Sequence, residues 1–118
     1  MSTITITHNP RCSKSRQTLQ LLEDNGVSAT VVEYLKTGLD ANTISQLINQ
    51  LGFSSARQLM RKNEDEYKQL NLSDSTLTEA QLIDAMVKNP KLIERPIVFS
   101  ATQARIGRPP ESVLDIIQ

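Results

Sequence analysis

The sequence has a single cysteine, a single histidine and no tryptophan among its 118 residues, and only 3% of them are aromatic. One thiol, Cys12, forms no internal disulfide and no cysteine-rich metal site. This usage fits a reducing compartment, so a cytoplasmic location is expected. No apolar run exceeds three residues, Ile97-Val98-Phe99 being one of them, which excludes a transmembrane helix. The opening Met-Ser-Thr-Ile-Thr-Ile-Thr has no apolar h-region, and no signal peptide is expected. Charge of one sign is also lacking: 13 Lys+Arg balance 13 Asp+Glu. Global attraction to nucleic acid or to an anionic membrane is therefore not expected. The length fits one domain over residues 1–118, and nothing in it demands an oligomer, so a monomer is the expectation.

The local patterns describe a mixed α/β chain. Thr3 to Thr7 alternate Thr and Ile, as a half-buried strand does. His8-Asn9-Pro10-Arg11 follows as a turn. From Ser13 the spacing becomes helical, with Leu19, Leu21 and Leu22 as the stripe and Gly26 as the stop. Ala29 to Tyr34 reads as a second strand, and a strand–helix–strand unit of this length implies a parallel pair with a right-handed crossover. Asp40 caps a helix striped by Ile44, Leu47, Ile48 and Leu51, with Gly52 at its end. Shorter helical pieces with an exposed acidic patch at Glu64-Asp65-Glu66 occupy 54–70. Thr78 to Gln81 is a capping box that opens a helix with Leu82, Ile83 and Met86 inward, and Asn89-Pro90 closes it. Ile97 to Ser100 and Ala104 to Ile106 read as a hairpin. A last helix starts near Arg108-Pro109-Pro110-Glu111, with Val113, Leu114 and Ile117 on its inner face. The expected fold is a four-stranded mixed β-sheet flanked by helices, with a helical insertion at about 39–93.

Cys12 falls at a strand-to-helix turn. Unpaired N–H groups and the positive end of the helix dipole face that position, which lowers a thiol's pKa. The zero net charge is an average over unlike segments. Residues 1–22 carry Arg11, Lys14 and Arg16 and no acid; residues 95–110 carry Arg95, Arg105 and Arg108 and no acid. If the sheet joins these segments, Cys12 faces a basic pocket suited to a tetrahedral oxyanion. On charge alone, solvated surface arginines are an equally good reading. A dithiol motif is excluded because Ser15 stands where Cys-x-x-Cys needs its second sulfur. A phosphatase-type loop is excluded because Thr18 stands where Cys-x-x-x-x-x-Arg needs its arginine. Ser15 either donates to the thiolate or is an ordinary first-turn serine. A covalently modified Cys12 can be resolved only by an external thiol.

The stretch His8-Asn9-Pro10-Arg11-Cys12-Ser13-Lys14-Ser15-Arg16 resembles the active-site segment of the glutaredoxin-dependent arsenate reductase family. The likeness continues through Leu59-Met60-Arg61-Lys62-Asn63, Glu94-Arg95-Pro96-Ile97-Val98 and Gly107-Arg108-Pro109. It implies a thioredoxin-like fold with a helical insertion. It also implies that Cys12 attacks arsenate to form a thioarsenate adduct. Glutathione, a co-substrate, then releases arsenite and leaves a mixed disulfide for glutaredoxin. By the same resemblance Arg61, Arg95 and Arg108 hold the oxyanion, His8 lines the site to bond the thiolate or serve the proton balance, and Pro96 matches a cis-proline; with Ser15 from its place in the first turn, Cys12, His8 and Ser15 are the expected catalytic residues. No bound cofactor and no metal is implied. Arg61 comes from the resemblance only. Lys14 and Arg16 are read as helix-solvating charges, Lys62 and Asn63 as peripheral, and Arg105 as a hairpin surface charge.

The chain departs from better-known members in the basic rim of Arg11, Ser13 and Lys14, where smaller residues are common. It also ends at the last helix, where some longer members continue. Two alternatives stand beside the enzyme. One is a non-catalytic module of the same fold, like family regulators that bind RNA polymerase; those generally use Cys-x-x-Cys, which Ser15 removes. The other is a general monothiol redox protein acting on glutathione or protein disulfides.

Overall fold

In a computed structural model that describes residues 3–117, three residues of strand suffice at each sheet position. β1 (Thr5–Thr7) runs parallel to β2 (Thr30–Val32) and antiparallel to β3 (Ile97–Phe99), which pairs antiparallel with β4 (Ala104–Ile106). The sheet is four-stranded and mixed, in the order β2-β1-β3-β4. The chain divides into two compact units, residues 3–37 with 95–117, and residues 38–94.

The first unit holds the sheet and α1 (Ser13–Asp24). Its core joins Ile4, Ile6, Leu22, Val98 and Val113, with Leu19, Leu21, Val27 and Ala29 packed at the margin. Burying each such aliphatic side chain contributes about 1.5–3 kcal/mol, more than local propensity can oppose. The buried face of α1 is Ser15, Thr18 and Leu22. It is polar at its first turns and apolar at its end. Gly26 ends the helix as expected, at φ 76°, with its N–H bonded to the carbonyl of Glu23.

Two expectations need correction in this unit. Tyr34 is not in the second strand; it opens α2 (Tyr34–Thr37) and is buried. Its aromatic ring suits a strand, but burial decides its place. The last segment, Pro110–Ile116, is a 3₁₀ helix. Three residues per turn put Val113 and Ile116 on one face, so Ile116 and Ile117 join the core and Leu114 does not.

The second unit is helical. α3 (Ala41–Gln50) is capped by Asp40, whose carboxylate accepts the Thr43 N–H at 2.7 Å. α4 (Asp65–Gln69) is one turn, and α5 (Glu79–Lys88) opens with the expected Thr78–Gln81 capping box. α3 packs beside α5, and Met60 bridges Ile93. The Glu64–Glu66 patch is less exposed than expected, because Glu64 turns back to Arg61.

Candidate active site

All strand ends that matter lie at one edge of the sheet. β1 leads into His8, β2 into Glu33, β4 into Gly107 and Arg108, and β3 begins just after Arg95 and Pro96. Cys12 is the N-cap residue of α1, in extended conformation at φ −93° and ψ 123°. The first turn of α1 carries no acid that would compete for its backbone N–H groups. Those of Lys14 and Ser15 are turned to the sulfur.

The thiol of Cys12 is held below the ordinary thiol range. Partial burial opposes ionisation, but the backbone N–H of Ser15, the charge of Arg95, the backbone N–H of Lys14 and the charge of Arg108 together outweigh it. Arg108 reaches the sulfur directly, with Nη2 3.8 Å from Sγ. Its Nε donates to the carbonyl oxygen of Arg95 at 2.7 Å, so the two arginines are linked. The Arg95–Pro96 and Arg108–Pro109 peptide bonds are both cis.

Ser15 acts through its backbone on the sulfur and through its hydroxyl on something else. The buried Oγ accepts the Asn9 N–H at 3.0 Å and lies 2.6 Å from Nδ1 of His8. The hydroxyl therefore fixes the loop and the imidazole, and the first-turn alternatives left open by the sequence are replaced by this arrangement. His8 is buried and its pKa is lowered, first by desolvation; Glu33 opposes the shift and Arg16 adds to it. The lowered pKa favours the neutral imidazole.

Thr18 and Gly107 complete the frame. The Thr18 hydroxyl donates to the Lys14 carbonyl at 2.7 Å and reaches the Gly107 carbonyl at 3.5 Å. A Cβ on Gly107 would stand 2.5 Å from Oγ1 of Thr18 and 2.9 Å from Cγ of Pro96. Only glycine lets β4 pass this close to α1 before Arg108.

The structure thus brings Cys12, His8, Ser15, Arg95, Pro96 and Arg108 together. Arg105 instead faces Asp115, Nε to Oδ2 at 3.7 Å. Arg16 donates to the Pro10 carbonyl at 2.9 Å. Arg61 lies in the second unit, where it bonds Glu64 and stands 3.8 Å from the Glu94 carboxylate. Sequence reasoning did not find Thr18 and Gly107 as framing residues. No group of three or more His, Cys, Asp or Glu among the described residues is placed to hold a metal.

A family profile described as the ArsC family matches residues 7–116. The chain belongs to the ArsC family. The uncharacterized protein YfgD of Escherichia coli K12 is 61% identical over 114 residues, covering 97% of this chain and 96% of that one. The arsenate reductase of Haemophilus influenzae is 44% identical over 114 residues, covering 97% and 98% of the two chains. The solved arsenate reductase of Vibrio cholerae superposes with a TM-score of 0.95 at 50% identity, covering 98% of each chain. The fold is the thioredoxin-like ArsC fold expected from the sequence. In this ArsC-family chain the sheet order puts the Cys12 thiol and two arginines at one edge.

Proposed function

We propose that the protein is an arsenate reductase that works in the reducing cytoplasm as a monomer, with glutathione and glutaredoxin as electron donors. One observation carries the reading: Nη2 of Arg108 stands 3.8 Å from a Cys12 sulfur whose ionisation the helix N–H groups and Arg95 favour. Cationic forks beside a thiolate attract a tetrahedral oxyanion and present it to the nucleophile. The names of the Haemophilus and Vibrio relatives support arsenate as that oxyanion.

The Cys12 thiolate attacks As(V), and an arsenate oxygen leaves as water after protonation. An S–As bond results. A glutathione thiolate then attacks Sγ of Cys12; the S–S bond forms as the S–As bond breaks. The electron pair of the broken bond stays on arsenic, which departs as As(III), while the two sulfurs are oxidised to a mixed disulfide. The absence of a second cysteine leaves that disulfide to an external thiol, the part assigned here to glutaredoxin. Arg95 and Arg108 offset the negative charge that gathers on the arsenic oxygens. A third oxyanion contact from Arg61 rests on the family resemblance.

Arsenite release, measured with glutathione and glutaredoxin for the native protein and Cys12→Ser, tests the reading. Activity only in the native protein is expected. Equal release from both would remove Cys12 as nucleophile, and no release from either would remove arsenate as substrate. Exchanging glutaredoxin for thioredoxin tests the donor, and undiminished turnover would overturn that assignment.

A further inference from the structure

A cleft of 240 Å³ opens beside the active-site loop, between His8–Arg11 and the Glu33–Lys36 turn that follows β2. Its charged side chains are Arg11, Glu33 and Lys36, two cations to one anion, and Leu35 supplies an apolar surface. Lys36 and Glu33 stand 3.4 Å apart. The mechanism above uses none of these three charges.

The sheet order fixes which side of the loop the cleft is on. Along the active edge, Glu33 follows β2, the Cys12 loop follows β1, Arg95 precedes β3 and Arg108 follows β4. The loop therefore has the arginines on one side and the cleft on the other. Displacement at sulfur is in line: the incoming thiolate enters opposite the departing group. If Arg95 and Arg108 hold the arsenic, as the reductase reading has it, the departing group lies toward β3 and β4, and in-line attack enters from the β2 side, where the cleft is.

We propose that this cleft, through Arg11, Glu33 and Lys36, binds the tripeptide thiol that attacks the Cys12–arsenic adduct. The inference deepens the reductase reading and rests on it. Glutathione at neutral pH carries two carboxylates and one ammonium group, the complement of the cleft's two cations and one anion. Each exposed ion pair is weak, so specificity comes from all three together. In the step itself the tripeptide sulfur bonds to Sγ and the S–As pair goes to arsenic, as written above.

S-methylglutathione cannot react, and it reads binding without turnover. Titration into the native protein, followed by amide NMR, is expected to shift Arg11 and the Glu33–Lys36 turn. The double charge reversal Arg11→Glu with Lys36→Glu is expected to weaken this binding about tenfold. In the reductase assay it raises the KM for glutathione by a like factor and leaves the KM for arsenate within about twofold. No binding to the native protein, shifts confined to other surfaces, or equal affinity in the variant would overturn the cleft. Failure of the native protein to release arsenite would instead remove arsenate and leave the titration result standing.

Discussion

Nη2 of Arg108 lies 3.8 Å from the sulfur of Cys12, although 96 residues separate them in the chain. Arg108 is exposed, whereas Arg95 is partly buried. Both charges favour the thiolate, so Arg95→Ala and Arg108→Ala are each expected to raise the apparent pKa read from pH-dependent alkylation. Salt screens exposed charges more strongly, so the Arg108 effect should shrink as ionic strength rises and the Arg95 effect should persist. An unchanged alkylation profile in both variants would sink the basic-pocket model.

Ser15→Ala separates two roles for one residue. Loss of the buried hydroxyl leaves the Asn9 N–H and His8 Nδ1 without their partner, a cost of about 1–3 kcal/mol in urea unfolding. The Ser15 backbone N–H stays at the sulfur, so the Cys12 alkylation pKa should remain low. A raised alkylation pKa with unchanged stability would restore the hydroxyl-to-thiolate bond and contradict the geometry.

Gly107→Ala drives a methyl group into Thr18 and Pro96. Overpacking of this kind costs about 1–3 kcal/mol. It should also displace Arg108 and raise the KM for arsenate. Thr18→Ala removes the nearest obstacle but not Pro96, so the double variant should recover part of the loss. The coupling in that cycle is expected at about 0.5–3 kcal/mol; additive losses would show that the two residues do not press on each other.

His8 gives stability a pH dependence of known sign. Its folded pKa is lowered, so below the unfolded value of about 6.5 the unfolded chain binds more protons. Its contribution is whole above that pH and is lost as pH falls through the folded value. Glu33 raises the His8 pKa, so Glu33→Gln should steepen the acid loss, and His8→Asn should flatten it. Denaturant unfolding from pH 5 to 8 reads both slopes, and a slope unaltered by His8→Asn would refute the assignment.

Much of the fold and part of the site are legible in the sequence, for local reasons. Gly26, Asp40 and Thr78 mark helix ends because caps act within a few residues. Cys12 can be placed at a helix start because a turn signal precedes it and a stripe follows. The hairpin of β3 and β4 needs only a short loop. What the sequence hides depends on distance in the chain or on a choice between near-equal periods. Tyr34 has strand chemistry but is the one buried residue of an exposed helical turn. Leu114 and Ile116 exchange roles when three residues per turn replace 3.6. Ser15 has its hydroxyl drawn to His8, seven residues upstream. The Thr18–Gly107 approach joins residues 89 apart, and nothing in either neighbourhood announces it.

Cys12 sits where a helix asks for Asp, Ser or Thr, in a backbone conformation that would accept any of them. An oxygen there would accept the first-turn N–H groups more strongly than sulfur does. Cys12→Asp is expected to raise unfolding stability by about 1 kcal/mol while abolishing the thiol chemistry. At this position selection for turnover and selection for a robust helix pull in opposite directions, so a design program rewarding stability alone would erase the sulfur first.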